Sequence, residues 1–288
     1  MSYYWSSCHG LRDDLCCGRK RKLNTFLEAI LLGLVEGVTE FLPISSTGHL
    51  ILVGDLLGFK GPPGRVFEVV IQLGAILAVC ALYWQKLWDR ARNGLTDPIA
   101  QRFWISLLLA FLPAAILGFM FHGAIKSFLF NPWTVSLALI VGGLAILLIE
   151  RMEKLVAFTT IESLPLKRVA AIGLCQAIAM FPGVSRSGAT IMGGLLLGLD
   201  RKAAAEFSFL LAIPTMLGAT TLDLWKNRMA LSFEDLGILA TGFAAAFFAA
   251  FLTVRIAISV LSRIGFQPFG YYRIIVGSLM LLLLLWRS

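Results

Sequence analysis

The 288 residues are 58% hydrophobic and only 15% charged, where a water-soluble domain carries about 25% charge to cover its surface, so a soluble globular protein is excluded. The net charge of +8 forms no basic stripe with interleaved aromatics, which argues against nucleic acid as a partner. Basic residues at the ends of membrane helices, facing anionic lipid headgroups, account for it better.

The N-terminal stretch, residues 1–24, is polar and lacks an apolar core of signal-peptide length. It reads as a poorly ordered extension with no catalytic content. Of the five cysteines, Cys8, Cys16 and Cys17 lie in this tail, while Cys80 and Cys175 lie in apolar segments. Their spacing fits no zinc pattern, and all five read as free thiols.

Residues 25–58 are apolar but do not read as a simple span. Glu36, Glu40 and His49 fall inside the segment, and Pro43 interrupts it just before Ser45-Ser46-Thr47-Gly48. Three apolar runs of spanning length follow, at 66–84, 103–121 and 131–149; about 20 residues cross a bilayer core of roughly 30 Å. A polar connector leads to residues 169–199, where Pro182 and Gly183 break the helix ahead of Ser185-Arg186-Ser187-Gly188. Three more runs, at 203–222, 236–254 and 268–286, complete the chain. Non-helical backbone at membrane depth survives only if buried in protein or lining a wet cavity. The two interrupted segments therefore read as re-entrant helical hairpins that share a polar cavity.

A gapless shift of 140 residues lays one hairpin on the other, with 10 identities over the 26 positions from 33 to 58, among them Phe41/Phe181, Ser45/Ser185 and Gly48/Gly188. This predicts two repeats, 25–150 and 169–288. A hairpin returns to its starting side and three spans end on the opposite side, so the second repeat must be inverted. Inverted repeats bring equivalent segments together at the midplane. The expected fold class is an all-α polytopic membrane protein, an inverted repeat of six transmembrane helices plus two re-entrant hairpins.

Glu36 and Glu40 stand four apart, on one helix face. An ionisable group inside a membrane costs at least roughly 2.5–3.5 kcal/mol, so the pair needs a proton, a cation or an arginine, and a functional role is the default reading. Ser45, Ser46, Thr47 and Gly48 precede a helix, and so do Ser185, Ser187 and Gly188. Small hydroxyl residues there leave free N–H groups that suit an anion. Arg186, at the position equivalent to Ser46, offers the planar fork of donors best matched to phosphate. Two anion-binding helix starts, an Arg, two carboxylates, hydroxyls and one His inside lipid fit a phosphate with an apolar tail. Glu68 and Glu206, early in matching spans, are weaker candidates for the same cavity. His122, at the end of a span, reads as an interfacial residue.

The runs "EGVTEFLPISSTGHL" and "PGVSRSGATI" resemble the two signature motifs of the undecaprenyl-diphosphate phosphatase, or bacitracin-resistance, family, and the similarity extends from about residue 26 to the C-terminus. The resemblance implies a hydrolase that converts undecaprenyl diphosphate to undecaprenyl phosphate and inorganic phosphate, recycling the lipid carrier of peptidoglycan synthesis. It implies divalent-cation dependence, with Mg²⁺ or Ca²⁺ the hard cations that would suit Glu36 and Glu40. It also implies that Glu36, Glu40, Ser46, His49 and Arg186 are catalytic, with Ser45, Thr47 and Thr190 contributing, in a bacterial inner membrane with the active site open to the outer face. The N-terminal tail is the one departure from the family pattern.

Two other readings compete. A polyprenyl-phosphate transporter shares inverted repeats and broken helices but does not require so many reactive groups. A phosphatidic-acid-type phosphatase requires a second histidine after its arginine motif, and none follows Arg186. Two mechanisms stay open: Ser46 as nucleophile with His49 as base, or water activated by a cation on Glu36 and Glu40. Chain length of the lipid and assembly, including a homodimer, also stay open. On sidedness, Lys86, Arg90, Arg92, Arg102, Arg151, Lys154, Lys167, Arg168, Arg201, Lys202, Arg255 and Arg263 crowd one face. With the tail left aside, Lys60, Arg65, Lys126, Lys226, Arg228 and Arg287 are chiefly what the other face holds, so the richer face is expected to be cytoplasmic, while Arg12, Arg19, Lys20, Arg21 and Lys22 of the tail pull the other way.

Overall fold

In the computed structural model, which describes residues 11–59, 66–128, 131–152, 156–226 and 235–287, every extended element is a helix. Chain order runs α1 (Leu11–Thr39), α2 (Ser46–Leu57), α3 (Val66–Leu82), α4 (Trp84–Arg92), α5 (Pro98–Phe128), α6 (Pro132–Arg151), α7 (Leu166–Ile178), α8 (Arg186–Leu196), α9 (Arg201–Lys226), α10 (Leu236–Ile264) and α11 (Gln267–Arg287). Five of these, α5, α6, α9, α10 and α11, are long and apolar enough to cross a membrane. The 66–84 segment ends one helix at Leu82 and turns by 69° into α4; if that bent pair makes one crossing, the spans number six. The protein is a multi-pass membrane protein. The wide exposure of Leu137, Val141, Leu148, Phe248, Leu252 and Leu282 is what a lipid-facing surface requires.

The helix of the N-terminal extension is a correction. Its backbone is helical from Leu11 onward and runs unbroken into the first hairpin. Arg and Lys, as in Arg19–Lys22, are good helix formers, so polarity did not stop the helix. Residues 1–10, which hold Cys8 and His9, lie outside the described residues, as do Lys60, Arg65, Lys154 and Arg228. The side chains of Cys16, Cys17, His122, Lys126 and Arg287 lie outside them too.

The helices around the two breaks are short. With 12, 13 and 11 residues, α2, α7 and α8 reach roughly 16–20 Å at 1.5 Å per residue, well below the roughly 30 Å slab. Each folds back on its neighbour, α1 against α2 and α7 against α8. Pro43 and Pro182 supply no N–H to continue a helix, and Gly183 takes φ +92°. Each break then ends on a serine with positive φ, 71° at Ser45 and 62° at Ser185, a conformation that costs a non-glycine residue about 1–3 kcal/mol. Each returning arm stops on a left-handed glycine, Gly58 or Gly198.

The packing partners of the hairpins correspond. α1 lies along α10, and α7 lies along α5; α6 packs on α11 and α3 on α9. Close approach runs through matched glycines. A Cβ on Gly33 would strike Ala245 and the α10 backbone, and one on Gly173 would sit 2.6 Å from the Ala110 carbonyl of α5. The main core gathers Phe41, Phe103, Phe207, Phe209, Ile191 and Leu210. One end of the bundle is tied by ion pairs from Lys86 to Glu206, Arg90 to Asp97 and Glu162, and Arg201 to Glu150.

Candidate active site

The two breaks meet. Ser187 Oγ, beside the second break, donates to the Leu42 carbonyl of the first at 2.8 Å. Arg186 Nη2 lies 3.1 Å from Glu40 Oε1. Between them opens a cavity of about 170 Å³, lined by Glu40, Ser45, Ser46, Thr47, Ser185 and Arg186 together with Gln72 and Thr215. Ala179, Met180, Phe181, Pro182, Gly183, Met216 and Ala219 complete its wall; the polar side suits a phosphate group, and the size excludes a long prenyl chain.

Glu40 is the hub. It sits one residue past the end of α1, its N–H still bonded to the Glu36 carbonyl at 2.9 Å, which turns its carboxylate toward the second hairpin. Oε1 takes the guanidinium of Arg186, and Oε2 accepts a short hydrogen bond from Ser46 Oγ. Arg186 is otherwise held by Nη1 donating to the Ser208 carbonyl at 2.7 Å and by the face of Phe41, 5.7 Å away. Its Nε, like both carboxylate oxygens of Glu36, is buried with no hydrogen-bond partner among the described residues. A guanidinium donor at the cavity and, one helical turn before Glu40, the Glu36 carboxylate are thus both without a partner among the described residues, and leaving such groups unpaired costs roughly 1–3 kcal/mol or more each. They have ligands to gain.

The helix starts divide. Ser185 Oγ caps α8 by accepting from the Gly188 N–H at 3.1 Å, so one of the anion-directed N–H groups is already used. Ser45 makes no side-chain cap, leaving the start of α2 open. Thr190 bonds Ser208 Oγ at 2.6 Å and the carbonyls of Arg186 and Ser187; it braces α8 and does not line the cavity. Gly48 packs against α6, near Leu139 and Val135, also away from the cavity.

His49 points elsewhere than the sequence reading placed it. Its Nδ1 meets the Ser45 carbonyl at 2.8 Å and its Nε2 meets Tyr272 Oη at 2.7 Å, with the two rings stacked at 5.5 Å. The hydroxyl of Ser46 is bonded to Glu40 and not to His49. Glu206 lies at the ion-paired end with Lys86, outside this cavity, and Glu68 is exposed at the start of α3.

Residues 29–279 match the family of bacitracin resistance protein BacA. The chain belongs to that family. Undecaprenyl-diphosphatase 2 of Paramagnetospirillum magneticum is 54% identical, the alignment covering 91% of this chain and all of that protein. The undecaprenyl-diphosphatases of Sphingopyxis alaskensis and Parvibaculum lavamentivorans are 51% and 52% identical, over 90% and 89% of this chain and 97% and 96% of theirs. The recognised motifs thus belong to a resemblance that runs nearly end to end, and it leaves the N-terminal tail outside.

Sequence reasoning missed Arg273. This BacA-family chain buries it almost completely, at 1% exposure, with no carboxylate beside it among the described contacts. Its guanidinium donates to five carbonyls: Nε to Leu139, Nη1 to Pro43 and Val184, Nη2 to Ala138 and Gly183, at 2.9 to 3.4 Å. Pro43 belongs to the first break and Gly183 and Val184 to the second, so one side chain satisfies the orphaned backbone of both. The signal available in sequence was an arginine in the otherwise apolar run of α11, which intramembrane cost marks as functional.

Proposed function

We propose that this protein is an integral membrane phosphatase that hydrolyses undecaprenyl diphosphate to undecaprenyl phosphate and inorganic phosphate. The reading is supported by nearly full-length similarity to proteins named undecaprenyl-diphosphatase and by the Ser46–Glu40–Arg186 chain in a cavity between the two helix breaks. The last observation carries it: a hydroxyl already bonded to a carboxylate, beside a guanidinium with a spare donor, is the set that attack on phosphorus requires.

In the reaction, Arg186 turns its fork onto the non-bridging oxygens of the terminal phosphate, assisted by the open N–H groups at the start of α2. Ser46 Oγ attacks the terminal phosphorus, and its proton passes to Glu40 Oε2. The bond from that phosphorus to the bridging oxygen breaks, and polyprenyl phosphate leaves. Water then attacks the phosphoserine, releasing inorganic phosphate and restoring Ser46. His49 serves as a positioning residue, pinned between the Ser45 carbonyl and Tyr272 so that α2 starts where Ser46 can act.

Glu36 and Glu40 are the residues that would hold a divalent cation. The orphaned Glu36 carboxylate fits that assignment, and two carboxylates completed by water and substrate phosphate are the usual set for Mg²⁺. Such a cation would supply charge neutralisation to the diphosphate.

The paired backbone anomalies at Ser45/Ser185 and Gly58/Gly198, and the matched packing of α1 on α10 and α7 on α5, support the inverted repeat with two re-entrant hairpins. The basic, ion-paired end of the bundle supports a cytoplasmic assignment for that face in a bacterial inner membrane, with the cavity open to the outer side.

Purified protein given undecaprenyl diphosphate decides between this reading and a lipid transporter. Stoichiometric inorganic phosphate is expected, with acid-stable label on Ser46 after a single turnover of ³²P-substrate. Binding without phosphate release would point to transport, and phosphate release with no phosphoserine would replace Ser46 by a water nucleophile.

A further inference from the structure

The polar cavity must pass on the lipid tail it cannot hold. Beside it runs a second, largely apolar groove of about 240 Å³ between α5 and α9, and Thr215 and Ala219 line both. One wall of the groove is Phe111, Ala114, Gly118 and Phe119; Gly218 stands on the other. Phe119, at the rim, is 80% exposed, so the groove opens outward. Its helices are both long and apolar enough to span a membrane, so along Phe111 to Gly118 and Thr215 to Ala219 the medium outside is lipid, while the Asp223 end lies toward the face that carries Lys226. From Thr215 to the far end at Asp223 the groove follows eight residues of α9, or roughly 12 Å. Small side chains form the trough, and aromatic rings form the edges. A linear branched hydrocarbon fits this shape.

We infer that the groove between α5 and α9 seats the first isoprene units of the substrate's polyprenyl tail and lets the rest leave sideways into the bilayer. The inference rests on the proposed function, since it takes the diphosphate to lie in the adjoining cavity. It makes α5 and α9 the elements that discriminate long prenyl diphosphates from short ones. The reacting groups come from other helices, so groove and chemistry are separable.

Two glycines on opposite walls allow a clean test. A Cβ on Gly218 would have its nearest neighbour, Phe111, at 3.7 Å, and one on Gly118 would meet only Met180 Sδ at 3.6 Å. Both are ordinary van der Waals contacts, so a Cβ is accommodated at each position, and the remaining atoms of a leucine there compete with the tail for the groove that both glycines line. Phosphate release by wild type, Gly218→Leu and Gly118→Leu is measured with farnesyl diphosphate and with dimethylallyl diphosphate, alongside melting temperatures. The ratio of kcat/KM for the long tail over the short one is expected to fall roughly ten- to fifty-fold in each variant, mainly through KM, the effect of two to three lost methylene-sized contacts. An unchanged ratio in either folded variant overturns the groove assignment, whether both substrates suffer equally or neither does; the groove would then hold bulk lipid. If one leucine unfolds the protein, the variant on the facing helix carries the test. Wild type that releases no phosphate from undecaprenyl diphosphate, assayed alongside, overturns the proposed function and the groove with it, and is thereby told apart from failure of the groove alone.

Discussion

The two helix breaks have nearly the same backbone and opposite chemistry. Both end on a positive-φ serine, both lead into a short helix, and both returning arms close on a left-handed glycine. Yet the first carries Glu36, Glu40, Ser46 and His49, while the positions 140 residues on carry Gln176, Met180, Arg186 and Ala189. Gln176 is spent on structure, bonding the Ala110 carbonyl and Thr215. One break carries the two acids and Ser46; the other carries Arg186, the cation paired with Glu40, and in the proposed reaction these become nucleophile and phosphate clamp. A paired scaffold brings backbone irregularity to one place from two directions, and the differences between its halves make the site. Neither half alone could keep its charge inside a membrane.

That division of labour can be attacked from its most sensitive point downward. If the acidic break holds a divalent cation through Glu36 and Glu40, excess chelator removes nearly all turnover and an added divalent ion restores it. Full activity in chelator would leave Arg186 as the sole counter-charge. For the cationic break, Arg186→Ala should lower turnover by roughly two to three orders of magnitude. Arg186→Lys should also be poor, because it keeps the charge and loses the fork. A folded Arg186→Lys protein of near-normal activity would mean that the arginine merely neutralises Glu40.

Glu40→Gln keeps the shape of the hub but cannot take the proton of Ser46. A loss of about a hundredfold in kcat is expected from a missing general base, larger than the loss in His49→Gln; the reverse order would return the base to His49. Arg273→Lys tests the clamp that joins the breaks. Lysine cannot reach five carbonyls, and buried carbonyls left without donors cost about 1–3 kcal/mol each, so a lower melting temperature should accompany the activity loss. Equal stability of wild type and Arg273→Lys would remove the clamp from the account. The smallest effect concerns the serines themselves. Ser45 makes no cap, so Ser45→Gly should relieve strain and stabilise by about 1 kcal/mol. Ser185→Gly gives up the bond to the Gly188 N–H as it relieves strain, and its melting temperature should rise less. Identical shifts would mean that the two breaks are equivalent in energy as well as in shape.

Much of this was readable along the chain. The apolar runs marked the spans, since lipid demands about 20 such residues whatever their neighbours. Pro43, Pro182 and Gly183 marked the breaks through backbone chemistry alone, and the charges beside them pointed to a candidate site because intramembrane charge is costly. The helical continuation through Leu11–Asn24 was hidden, because polarity was read as disorder where good helix formers were present.

Sequence by itself determined which residue types stand at which break, because those facts are local: helix period, proline geometry and the cost of charge in lipid act over a few residues. Only the tertiary structure decided the partners. Ser46 bonds Glu40 and not His49, which faces Tyr272 at a separation of 223 residues. Glu40 meets Arg186 across 146 residues, and Arg273 reaches Pro43 across 230. Glu206 went to Lys86 at the far end of the bundle. Such pairings depend on how spans pack, through glycine contacts such as Gly33 on α10 and Gly173 on α5, and packing is a property of surfaces that meet only after the chain has folded.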